Sequence, residues 1–210
     1  GVVAPTRIRC EHLADTGGEH VADNDKAKLL AERASLLTTV EQLDPRDWDT
    51  PSLAVGWRVR DVVAHVNFNV TPGLGTAIVG MLKARGDIHR FMATHARKVG
   101  ERPIAEHLEA LRRVAVSDAV APTTKSSDGG IDAFVHHHDI ALAVGREVPT
   151  DEARLRWLAD GIPQATRFIG CAERVRDVRM IATDIDWHYG TGPEVRGPAA
   201  AIVLAACGRS

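Results

Sequence analysis

Histidine is the side chain best suited to acid/base work and metal ligation near neutral pH, and this chain of 210 residues holds ten of them. On a helix, a carboxylate four residues before a His shares its face, about one turn away. Such a pair can chelate one metal ion, or the acid can orient the imidazole. Three histidines carry an Asp at that spacing: Asp61–His65, Asp132–His136 and Asp184–His188. Given the acid content, chance alone produces roughly 1.3 such pairs under the spacing rule. Placement must therefore decide between them. The first two pairs fall on different expected helices, which can face each other in a bundle. The third falls in an expected strand or turn, where a four-residue spacing has no meaning. Asp132 and His136 lie at the edge of an apolar stripe centred on Ile131, Val135, His138 and Leu142. His65 lies at the edge of a valine stripe. Edge placement suits a site at the open end of a bundle, and it also suits ordinary surface polarity. The run His136-His137-His138 spreads imidazoles around most of a helix, so at least one must face inward. His138 is the competing candidate, as a buried core histidine.

Other groups carry weaker signals. The segment "GTGPEVRG" (190–197) matches neither a P-loop nor a dinucleotide fingerprint and reads as a turn. No GxSxG nucleophile elbow occurs. Cys171 is a nucleophile only with a base beside it, and otherwise a small core residue. Trp48 and Trp57 flank one loop and are expected to anchor it. Arg58 and Arg60 can be read as anion ligands near His65, or as a solvated helix face.

The elements that must position these groups follow from apolar spacing. Leu29, Leu30, Leu36, Leu37, Val40 and Leu43 predict an amphipathic helix from Asp25, stopped by Asp44-Pro45. Val59, Val62, Val63 and Val66 predict a second helix over about 58–68. A third is expected over about 76–99, weakened at Gly86, and a fourth over about 103–116, with Pro103 in its first turn. Residues 122–130 read as a loop, and 131–144 as a fifth helix closed by Gly145. Thr150-Asp151 reads as a cap for a helix to about Ile169, kinked or broken at Pro163. "VRMIAT" (178–183) reads as a strand, and 198–207 as a short apolar helix. Residues 1–24 show no sustained period and are expected to form a mobile leader. The expected class is α+β, mainly α: a helical bundle over 25–148, then a small α/β segment over 149–210.

Composition limits the partners. Lys plus Arg is 26 against 28 for Asp plus Glu, so no basic excess favours nucleic acid. No apolar run is long enough for a membrane span, and the N-terminus lacks a secretory signal pattern. Three scattered cysteines, Cys10, Cys171 and Cys207, without a CxxC argue against a disulfide framework. A cytoplasmic location is the expectation.

Two segments carry a family resemblance. "LDPRDWDTPSLAVGWRVRDVVAHV" (43–66) resembles the start of the second bundle helix in mycothiol-dependent maleylpyruvate isomerase-like proteins, a group of DinB-like, metal-binding four-helix bundles. "DAFVHHHDIALAVGR" (132–146) resembles that family's second signature: an acid four residues before a His, then HxxD and a closing Gly-Arg. The match selects His136, because Asp139 follows it by three. The tail from Thr183 to Arg209 is similar to the family's C-terminal α/β segment, shortened relative to many relatives. The resemblance implies a divalent ion, usually zinc, held by His65, Asp132 and His136, with one open position for water or a low-molecular-weight thiol. The family commonly carries Glu where this chain has Asp132. The activity implied is a mycothiol-dependent isomerase or S-transferase acting on a small electrophile, the metal lowering the thiol's pKa. The alternative is a non-catalytic metal-binding bundle with a binding or regulatory role.

Overall fold

The computed structural model describes residues 16–70, 82, 85–120, 124–167 and 169–209. Cys10, most of the expected leader and the first part of the expected third helix lie outside the described residues. Helix α1 spans Thr16–Glu41, so it begins inside the segment expected to be a leader. Residues 23–28 are exposed or half-buried. Leu29, Leu36 and Val40 are buried further along. A 3-10 turn, Pro45–Asp49, follows and buries Trp48 against the His107 ring at 5.8 Å.

Helix α2 (Val59–Val70) buries Val59, Val62, Val63 and Val66, as the valine spacing predicts. Helix α3 is shorter than the sequence suggests, running Ile88–Gly100. Gly86 takes a left-handed φ of 82°, a conformation glycine adopts without a Cβ penalty. The Asp87 carboxylate then caps the helix by accepting from the Arg90 amide at 3.0 Å. Helix α4 spans Ile104–Ala115 with Pro103 as its N-cap.

Helix α5 spans Ser126–Ala141 and passes into a 3-10 turn, Leu142–Val144, closed by left-handed Gly145. Its first turn overturns the expected loop over 126–130, while 124–125 are irregular and 122–123 lie outside the described residues. Gly129 and Gly130 are there for close packing. A Cβ on Gly130 would lie 2.3 Å from the Trp157 ring. Gly130→Ala is therefore expected to cost about 1–3 kcal/mol through overpacking, more than the gain of up to about 1 kcal/mol from helix propensity. A urea melt checks this, and an unchanged or raised midpoint contradicts it. α5 is buried over most of its circumference, since α1 and α2 pack on one side and α6 and α8 on the other. Leu142, placed by its spacing on the apolar stripe, is exposed instead.

The C-terminal segment follows. Helix α6 (Glu152–Gly161) is capped by Asp151 and runs into a 3-10 turn, Ile162–Gln164, at Pro163. Helix α7 is the single turn Cys171–Arg174. Strands β1 (Arg179–Ala182), β2 (His188–Tyr189) and β3 (Glu194–Gly197) form a sheet of order β2-β1-β3. β1 pairs antiparallel with β2 and parallel with β3. Gly190, at φ 83°, sits where a Cβ would lie 2.2 Å from the Val178 carbonyl oxygen; residues 190–193 form the expected turn, whereas the rest of "GTGPEVRG" is strand β3. Helix α8 (Ala199–Ala206) packs on α6, β1, β3 and α5. One apolar cluster joins Leu29, Ile131 and Phe134 to Leu158, Met180, Trp187 and Val203. The bundle and the C-terminal segment thus share a core.

Candidate metal centre

The start of α2 sets one half of the site. Asp61 accepts from the Arg58 backbone amide at 2.9 Å, the reciprocal bond of a capping box. The preceding loop folds back on itself: the Ser52 amide donates to the Trp57 carbonyl at 2.9 Å, and the Trp57 amide to that of Ala54 at 3.0 Å. This places the Trp57 indole 4.9 Å from the His65 ring and 6.2 Å from the His136 ring, centroid to centroid. The loop is pinned to α5 through the Leu53 amide, which donates to the Asp139 backbone carbonyl at 3.2 Å.

α5 supplies the other half. His136 Nε2 lies 3.5 Å from Asp132 Oδ1, and His65 Nε2 lies 3.9 Å from the same oxygen. One donor atom from each of His65, Asp132 and His136 falls within 4.8 Å of the others. Donors about 2.0–2.1 Å from a tetrahedral zinc stand roughly 3.3 Å apart. The two separations to Asp132 are close to that edge, so the donors fit a small divalent ion with modest closure. On its far side the His136 ring presents Nδ1 to Asp139 Oδ2 at 2.9 Å. Burial opposes protonation of His136, but Asp132 and Asp139 outweigh it and hold its pKa above the ordinary value. Burial, aided by His136, lowers that of His65 against the pull of Asp132. Protons and a cation would therefore compete for this cluster.

The model of the mycothiol maleylpyruvate isomerase N-terminal domain matches residues 29–186. The chain belongs to that family. Two solved structures share its fold: the mycothiol-dependent maleylpyruvate isomerase (TM-score 0.51) and a histidine-to-alanine variant of it (TM-score 0.52). Each is 16% identical, with 90% of both chains covered. No curated protein sequence matches the chain. The DinB-like bundle and the small sheet agree with the class expected from sequence.

Of the three Asp–His spacings, the family fold gives one a shared site within its own helix. Asp132 and His136 meet on α5. Asp61, buried, is taken by Arg58, whose Nε and Nη2 donate to it at 3.1 and 3.0 Å; His65 meets Asp132 across the bundle instead. Asp184 accepts the Ala199 amide at 2.8 Å at the start of α8, while His188 is exposed on β2. Arg58 also pairs with Asp49 and Glu101, and Arg60 with the same two acids. Neither is the solvated face expected, and neither offers an unengaged cation to a substrate. Cys171 is buried, its thiol donating to the Ile162 carbonyl at 3.5 Å, which fits the core reading. Trp48 anchors its loop as expected. Trp57 lies against the two imidazoles, a placement that spacing did not reveal. The one available signal was an aromatic residue directly ahead of the His-bearing helix.

The remaining imidazoles of the run are structural. His137 Nε2 and Thr39 Oγ1 are 2.7 Å apart, and His138 Nδ1 donates to the Phe134 carbonyl at 2.8 Å. Burial pushes His137 down to about 3, with His138 and Arg154 adding to the shift. Between about 3 and 6.5 the unfolded chain holds a proton that the folded chain lacks. Stability therefore falls as the pH drops through that window, by up to about 1.4 kcal/mol per unit from this group. Urea unfolding at pH 7, 6 and 5 checks this. His137→Gln is expected to flatten the slope by about one proton, and an unaltered slope contradicts the assignment.

Proposed function

We propose that the chain is a metal-dependent enzyme that uses mycothiol or a similar small thiol to isomerise, or to become joined to, a small electrophile. The observation that carries this reading is the convergence of His65, Asp132 and His136 from two helices on one small-ion-sized position. Three protein donors with an open fourth position suit a catalytic site, and two His with one carboxylate is a donor set that zinc takes. Bound there, the ion would supply Lewis acidity that lowers the pKa of a thiol and so provides a nucleophile near neutral pH.

The chain's own residues would do the rest. Asp132 stands between the two imidazoles and sets their separation. Asp139 accepts from His136 Nδ1 and leaves the Nε2 lone pair directed at the site. Trp57 walls one side of both rings and keeps bulk water from that side. The sulfur would add to one carbon of a conjugated double bond, its electron pair moving into the adjoining carbonyl. Rotation about the new single bond, then expulsion of the sulfur, gives the trans alkene and the original thiol. Where the sulfur is not expelled, the carbon next to the carbonyl takes up a proton, replacing the one the thiol gave up, and the product is a thioether. A thiol held reduced for this chemistry suits a cytoplasmic setting. Among the described residues no helix is long and apolar enough to cross a membrane.

The test has two stages. Protein purified without chelator or His-tag is assayed for metal, then incubated with mycothiol and a panel of cis-enone acids and simple alkylating electrophiles. About one zinc per chain, with catalytic isomerisation or thiol consumption, supports the proposal. A bound metal with no turnover on any substrate supports the non-catalytic bundle instead.

A further inference from the structure

The C-terminal segment reaches the metal centre through one side chain. Helix α8 ends at Ala206, Gly208 takes a left-handed φ of 81°, and the Arg209 amide donates back to the Leu204 carbonyl at 2.9 Å. This turn directs the guanidinium onto α5. Arg209 Nε donates to Asp139 Oδ1 and Nη2 to Asp139 Oδ2, both at 2.7 Å, while Nη1 donates to the Cys207 carbonyl at 3.3 Å. The Asp139 side chain is 0% exposed. Its Oδ2 is also the partner of His136 Nδ1 at 2.9 Å.

We propose that Arg209 is a positioning residue for the metal centre: through Asp139 it fixes the ring orientation and the tautomer of His136. The inference rests on the reading of His136 as a ligand. The geometry argues it in two steps. Both Asp139 oxygens accept from the guanidinium, so the carboxylate is held as an acceptor in one plane, the fork-on-fork arrangement that arginine makes and lysine cannot. An acceptor at Oδ2 requires His136 Nδ1 to be the donor. The ring's one remaining lone pair is then on Nε2, which faces Asp132 and His65. Without Arg209, Asp139 loses the contact that fixes its plane, and His136 Nδ1 no longer meets an acceptor held in one orientation. The α/β segment thus serves the bundle's site without contributing a ligand.

The experiment compares wild type with Arg209→Met, Arg209→Lys, Asp139→Asn and the Arg209→Met/Asp139→Asn double variant. Zinc affinity is read by competition with a chromophoric chelator. Losing such an outer partner weakens metal affinity by about 10–100-fold, so Arg209→Met is expected in that range, with Arg209→Lys between it and wild type. The double variant should be no weaker than the weaker single variant, because both act through one chain of contacts. A second readout uses metal-free protein at about pH 8.5, where ¹H–¹⁵N spectra report the His136 tautomer. Wild type is expected to carry the proton on Nδ1, and Arg209→Met to show a mixture of tautomers. If Arg209→Met does not fold, Arg209→Gln takes its place in both measurements. Zinc affinity within about threefold of wild type, together with an unchanged tautomer, overturns the proposal. If wild type takes up no metal, the metal-centre reading fails on its own, and the tautomer measurement still decides whether Arg209 braces His136.

Discussion

Replacing His136 or His65 with alanine is expected to abolish binding of the proposed metal. Each change leaves two of the three donors that converge within 4.8 Å, and two donors cannot hold a small ion against water and buffer. The loss in affinity should exceed about a hundredfold, beyond the range for removing an outer hydrogen-bond partner. Thiol-dependent turnover should vanish with the metal. The fold should survive, because the apolar contacts of α2 and α5 are made by other residues: Val59, Val62 and Val66 on one helix, Ile131 and Phe134 on the other. Elemental analysis and far-UV circular dichroism on the same samples check both halves. Full metal occupancy in either variant would remove that residue from the site. Asp132→Glu is the informative companion. Its extra methylene matches the acid common in the family, so it is expected to keep the metal, whereas Asp132→Ala is not.

The largest expected effect on stability lies one turn before His65. Asp61 is nearly inaccessible and accepts three hydrogen bonds from Arg58: one from the backbone amide and two from the guanidinium. The end of α3 closes against it, with Gly100 so near that a Cβ there would lie 2.1 Å from Asp61 Oδ1. Breaking a buried ion pair by removing one partner costs about 3–5 kcal/mol. Arg58 keeps exposed partners in Asp49 and Glu101, so Asp61→Ala is expected at the low end, about 3 kcal/mol. The urea midpoint should fall accordingly while the metal content per chain stays at the wild-type level. A loss of metal without a loss of stability would reverse the roles assigned to Asp61 and His65.

The same two residues show how far the sequence could be read. A four-residue spacing made Asp61–His65 as good a pair as Asp132–His136, because spacing records a shared helix face and not a competing partner. Arg58, three residues before Asp61, claims the carboxylate, and only the folded start of α2 reveals this. Asp132 and His136 have no such neighbour three residues before the acid, and it was the family pattern, with Asp139 following by three, that selected them. That His65 joins them depends on how α2 meets α5, which the family signatures anticipated and periodicity alone did not. Helix positions were mostly legible where valines and leucines recur on one side. They failed at Ser126–Gly130, where glycines that signal a loop serve close packing against Trp157, and near Gly86, where a glycine that seemed only to weaken a helix precedes its start. Arg209 stood out only as the end of a family pattern. Its reach to Asp139 spans seventy positions and has no local sign.

The run of three histidines on α5 also bears on how this lineage can change. In the amino-acid sequence it is a run of one residue type, yet the turn of the helix sends its members to unrelated neighbours: Asp132 and Asp139 for His136, Thr39 for His137, the Phe134 carbonyl for His138. Each position therefore answers to its own selection. A descendant that abandoned the proposed chemistry would be free to lose His136 while keeping the two beside it. One that retained the chemistry could repack around His137 together with Thr39 as a coordinated exchange. Drift at adjacent codons would then be uncoupled, and the histidine that persists would tell which duty a given descendant has kept.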